Sequence, residues 1–133
     1  MIGKQTKGTS FSGCVCYVLR EDKSKLLEAV GVEGTPEQMA EQFELQTLLN
    51  DKVKNTVGHT SLNFSPEDGE RLKTDDKLML KIAHDYMAKM GTENTQYIVV
   101  RHTDREHSHC HIVFNRVDND GKTISDKNDF YRN

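Results

Sequence analysis

Residues 96–117 carry the pattern that most limits what this chain can fold into. QYIVVRH at 96–102 and SHCHIVFNRV at 108–117 are runs rich in β-branched and aromatic residues, separated by the polar segment TDREH at 103–107. Such runs read as two strands of a close hairpin. Side chains alternate faces along a strand. His109 and His111 therefore share one face with Val113 and Asn115, and Cys110, Ile112 and Phe114 take the other. The hairpin sets His102 beside the start of the second strand, within reach of His109 and His111. Three imidazoles converging on one point, with further positions open, make the arrangement a catalytic metal needs. Imidazole suits several divalent ions, so the ligand type does not select among them. The full spacing is H-x-D-x-x-H-x-H-x-H. Asp104 can orient a ligand imidazole by accepting its other N–H. His107 has the parity of His109 and His111 and is a candidate fourth ligand.

The rest of the chain supplies alternating strands and helices. Residues 1–6 read as a short strand. Phe11, Cys14, Val15, Val18 and Leu19 form an amphipathic helix stripe, with Ser10 or Ser12 as its cap. LLEAVGV at 26–32 reads as a strand. Thr35-Pro36-Glu37 opens a helix to about residue 50, with Thr35 as N-cap and Pro36 in the first helical position. HTSLNF at 59–64 is a strand and 65–69 a turn. A helix over 74–90, capped by Thr74 or Asp75, stops at Gly91. Asp118-Asn119-Asp120-Gly121 turns into a last short strand at 122–125. The expected class is α+β: a central antiparallel, in part mixed, sheet of about five strands flanked by helices. Residues 1–133 fit one domain.

Composition closes off other classes. No apolar run approaches the length of a membrane-spanning helix, and the polar start MIGKQTKGTSFSG lacks the apolar segment of a signal peptide. Cys14, Cys16 and Cys110 are odd in number and form no C-x-x-C pair, which points to a reducing, cytoplasmic setting rather than a disulfide framework. The net charge of −3 runs against a generic duplex-DNA binder, which is basic. A site that uses a cation tolerates phosphate without a basic surface.

Two further features bear on chemistry. At about 100° per residue, Tyr17 projects away from the apolar stripe of the first helix, as a surface residue or a site residue does, and the pattern alone favours surface; Tyr86 and Tyr97 fall in core positions, and Tyr131 in the terminal tail. On the strand at 59–64, His59, Ser61 and Asn63 share one face and Thr60, Leu62 and Phe64 the other. The polar face reads equally well as the lining of a cleft or as solvated surface.

These segments resemble a known family. KGTSFSGxVxYVL at 7–19 is similar to the first motif of the MobA/VirD-type relaxases, HTSLNFSPED at 59–68 to their second, and HTDREHSHCHIVFN at 102–115 to the third, the histidine motif of the HUH endonucleases. The resemblance implies an antiparallel sheet flanked by helices and a domain that nicks single-stranded DNA at a plasmid or transposon transfer origin. It implies Tyr17 as nucleophile, His102, His109 and His111 as metal ligands, and Asp104 at the motif's acidic position. His107, His59 and Asn63 are additional candidates. Magnesium or manganese is the first expectation, zinc or nickel the second. No small-molecule cofactor is expected. Implied partners are the transfer-origin DNA, an accessory mobilisation protein and a coupling protein, in a bacterial cytoplasm. Relaxases of this type run longer, so the chain reads as an N-terminal fragment.

Two rival readings have their own motifs. HSHCHIV at 107–113 approximates the signature of histidine-triad nucleotide hydrolases, with His109 as nucleophile. Ser108 fits that signature poorly, and His102, Asp104 and the Tyr17 motif are left unexplained. The other rival is a non-catalytic DNA-binding remnant.

Overall fold

The computed structural model describes residues 2–20, 24–104 and 107–125. In chain order the elements are β1 (Ile2–Gly8), α1 (Phe11–Arg20), β2 (Ser24–Val30), α2 (Pro36–Thr47), β3 (Val57–Asn63), α3 (Pro66–Leu72), α4 (Asp76–Met90), β4 (Tyr97–Asp104) and β5 (His107–Asn115). The strands form one five-stranded sheet in the order β1-β3-β5-β4-β2. Every pairing is antiparallel, so the mixed component expected from the sequence is absent from the described sheet.

Local signals set the helix ends. The Ser10 hydroxyl accepts from Gly13 N–H at the start of α1. Thr35 and Gln38 form a reciprocal capping box on α2. Asp75 caps α4, and Gly91 ends it in the left-handed region at φ 74°. The turn expected at 65–69 is instead the start of α3. Ser65 caps it, Pro66 fills its first position, and Glu67 and Asp68 lie in its first turn. The expected strand at 122–125 reduces to one isolated bridge, Val117 to Thr123. The hairpin is also tighter than a turn at 103–107 implies: the strands pair as far as Asp104 with His107.

Alternation divides the sheet's side chains between two layers. On one face Val57, Ile98, Val100 and Val113 pack with Phe11, Val15 and Val18 of α1 and with Met39 and Phe43 of α2. The rings of Phe11 and Phe43 stack with centroids 4.7 Å apart and locked in parallel at 2°. On the other face Leu62, Val99, Cys110, Ile112 and Phe114 pack against Leu72 of α3 and Met79, Ala83, Tyr86, Met87 and Met90 of α4. Gly58 lies opposite Phe114 in the β3–β5 register. A Cβ at Gly58 would come within 2.2 Å of the buried Phe114 ring. Gly58→Ala is therefore expected to overpack this layer and destabilise the fold by about 1–3 kcal/mol. A urea midpoint equal to the wild type's would contradict that close fit.

The α4 face also holds a buried cation. Arg101 is 5% exposed. Its Nε–H donates to Asp76 Oδ1 at 2.7 Å, while Nη1 and Nη2 have no partner among the described residues. Lys25 donates to the other carboxylate oxygen of Asp76. The Lys25 hydrogen bond first, then the bond and charge of Arg101, hold the Asp76 carboxyl below its ordinary range. Asp76→Asn should cost about 1–3 kcal/mol at neutral pH, because the buried guanidinium loses its counter-charge while the half-exposed carboxylate is partly screened by water. A depressed carboxyl stabilises fully above its unfolded value near ~3.9 and loses that contribution as pH falls through the folded value. The gap between wild type and variant should thus close below about pH 4. A gap independent of pH in denaturant titrations would rule out this pair as its source.

Candidate functional site

The register sets the histidines in neighbouring rows on the face that α1 and α2 cover. His102 pairs with His109 across β4 and β5, and Asn63 pairs with His109 across β3 and β5. One row along, Ser61 pairs with His111. His59 completes the group from β3. The His102 and His111 rings lie 4.1 Å apart and the His59 and His111 rings 5.0 Å apart, centroid to centroid.

Each ring has one nitrogen engaged by a neighbour. The His102 Nε2–H donates to the Val18 carbonyl of α1 at 2.6 Å. The His109 Nδ1–H donates to Asn63 Oδ1 at 2.5 Å. His111 Nδ1 and His59 Nε2 share a hydrogen at 2.8 Å. In the neutral ring, donation to a carbonyl from one nitrogen leaves the lone pair on the other, which is Nδ1 in His102 and Nε2 in His109. Burial first, then the neighbouring charges of His102, His59 and His109, push His111 down to about 3. Burial and then His102 lower His59 as well. Both shifts favour the neutral ring, the state in which imidazole ligates.

These bonds bear on the expectation of three imidazoles aimed at one point. The rings are gathered, but among the described residues no three His, Cys, Asp or Glu side chains form a metal-ready set. One nitrogen of each ring turns toward Val18, Asn63 or His59. The donor chemistry nevertheless fits a cation. Second-shell acceptors on one ring nitrogen are what present the other nitrogen of a metal-binding histidine.

Tyr17 is 59% exposed on the outer side of α1. It directly precedes Val18, whose carbonyl receives His102. Asp104 and His107 pair with each other as the outermost described pair of the hairpin; their side chains lie outside the described residues, as does Tyr131. Tyr86 and Tyr97 are buried, as their core positions require.

A family model described as relaxase, MobA/VirD2-like, nuclease domain, matches residues 17–133. The chain belongs to this family. No curated protein matches it. The relaxase match starts at Tyr17 and takes in β2 through β5, with every histidine of the cluster. At the level of the family, this relaxase domain is a DNA-cleaving enzyme whose substrate is single-stranded DNA. No helix among its described residues is long and apolar enough to cross a membrane.

Two features of the relaxase site were only partly visible in the sequence. The polar face of β3 had been equally readable as solvated surface; Asn63 and His59 instead contact His109 and His111. The anchoring of His102 by a main-chain carbonyl left no signal, because backbone acceptors are the same at every residue.

Proposed function

We propose that this relaxase domain nicks one strand of DNA at a plasmid or transposon transfer origin by tyrosine transesterification, in the service of conjugative mobilisation. The observation that most supports the reading is the bond from His102 to the carbonyl of Val18, the residue next to Tyr17, which ties the last turns of α1 to the histidine cluster.

The Tyr17 oxygen attacks the scissile phosphorus, and the bond from phosphorus to the 3′ oxygen breaks. A 5′-phosphotyrosyl ester forms, and the leaving oxygen takes up a proton to become a 3′-hydroxyl. The new ester retains the phosphodiester's energy, so the reverse reaction reseals the strand. A phenol of ordinary pKa near ~10 is a weak nucleophile at neutral pH, so its proton must pass to a base as the bond forms. His59, His107 and Asp104 are the candidate bases. In favour of His59, burial and then the neighbouring His102 lower its pKa, which favours the neutral ring that can accept a proton.

His102, His109 and His111 would hold a divalent cation, magnesium or manganese first and zinc or nickel second. Such an ion polarises the phosphate oxygens and offsets charge in the transition state. Asn63 and the Val18 carbonyl orient two of the rings, and His59 the third. An accessory mobilisation protein and a coupling protein in a bacterial cytoplasm complete the proposed setting.

The test needs no knowledge of the target. The domain is incubated with manganese and a pool of random single-stranded oligonucleotides, then run on a denaturing gel. A protease-sensitive, heat-stable protein–DNA adduct is expected. Its absence from folded protein with each of the four metals would remove the transesterase reading.

A further inference from the structure

The sheet face that carries the histidines continues beyond them onto β1, and nothing in the proposed reaction uses that extension. In the antiparallel register Lys4 lies opposite Ser61, and Ser61 opposite His111. Lys4, Ser61 and His111 therefore form one row across three adjacent strands. Neighbouring strands are about 4.8 Å apart, so the backbones of Lys4 and His111 are separated by about 10 Å. Lys4 is exposed and Ser61 half-buried. Neither the Lys4 ammonium nor the Ser61 hydroxyl has a partner among the described residues. Neither β1 nor β3 contains an aspartate or glutamate on either face. Lys7, the other cation of β1, has the opposite parity and belongs to the far face.

We propose that Lys4 and Ser61 form a second phosphate subsite, which seats a backbone phosphate of the DNA strand beside the one that reacts at the histidines. The inference rests on the nicking reading above and adds a direction to it: the strand runs from the histidine cluster across β3 toward the β1 edge. A hydroxyl and an ammonium side by side offer hydrogen bonds and charge to an anion, and a phosphate contact of this kind positions the strand without reading its sequence. The chain as a whole carries net charge −3. One uncompensated lysine beside the site thus matters more here than on a basic protein, where many cations share the task.

The measurement is fluorescence anisotropy of a labelled oligothymidylate, titrated with wild type, Lys4→Gln, Lys4→Arg, Ser61→Ala and Lys81→Gln between 50 and 200 mM salt. Lys81 is an exposed lysine of α4, on the opposite side of the sheet, and serves as the control. Loss of one phosphate contact on a single strand lowers the salt slope by about 0.7. Over this fourfold salt range, wild-type affinity should fall about 2.6-fold more than that of Lys4→Gln. Lys4→Arg should restore the slope, Ser61→Ala should weaken binding with the slope kept, and Lys81→Gln should match wild type. Thermal midpoints identify any variant whose loss is one of folding. An unchanged slope in Lys4→Gln, or an equal flattening in Lys81→Gln, overturns the subsite. Failure of the wild type to bind the oligonucleotide at all overturns the nicking reading, and the subsite with it; a wild type that binds and forms adducts beside an unaffected Lys4→Gln overturns the subsite alone.

Discussion

Tyr17→Phe should abolish the covalent DNA adduct and lower nicking by at least about 10⁴-fold, the scale on which loss of a catalytic nucleophile acts. The variant removes one oxygen from a side chain that is 59% exposed. Its stability should stay within about 0.5 kcal/mol of wild type, as for ordinary surface substitutions. Oligonucleotide affinity should also change little, because phosphate contacts and not the phenol supply most of it. This separation gives the experiment its power: chemistry lost, fold and binding kept. Tyr86 and Tyr97 are buried on the opposite face and supply internal controls. Nicking that survives in Tyr17→Phe would mean that another nucleophile acts, and the mechanism would have to be rebuilt around it.

The second large effect concerns the cation. After chelation, adding manganese, magnesium, nickel or zinc to about 100 times its dissociation constant should stabilise the folded domain by roughly 2.7 kcal/mol. For a chain of this length that is a rise in melting temperature on the order of 10 °C. His109→Ala should abolish the rise, since it would remove a proposed ligand and leave Asn63 without its donor. Asn63→Ala should weaken the response by about 10- to 100-fold in metal affinity, through loss of ring orientation. The low basicity of His111 means that protons compete little for that ring near neutrality. No rise in the wild type with any of the four ions would exclude the three-histidine site.

Periodicity made much of this molecule legible in advance. Strand alternation assigned His109 and His111 to one face and Cys110, Ile112 and Phe114 to the other, and both layers follow it. The helix stripe of Phe11, Val15 and Val18 buries as its spacing requires. What escaped were features set by more than one segment. Whether Ser65-Pro66-Glu67-Asp68 turns or starts a helix depends on Leu72 finding a place beneath α4, although its capping signals were present in the sequence. The strand expected at 122–125 had no long partner to pair with and kept a single bridge. The ring orientations of the histidines depend on acceptors from α1 and β3 that spacing alone does not supply.

The bond between His102 and Val18 has one further consequence. The carbonyl belongs to the residue that follows Tyr17, so a displacement of the last turns of α1 stretches the contact that fixes the tautomer of His102. If His102 holds a cation as proposed, a strand that draws α1 toward or away from the sheet would alter that hold, and by thermodynamic reciprocity the cation would alter the affinity for the strand by the same factor. In the proposed reaction the nucleophile and the cation would be linked by one main-chain oxygen, that of Val18.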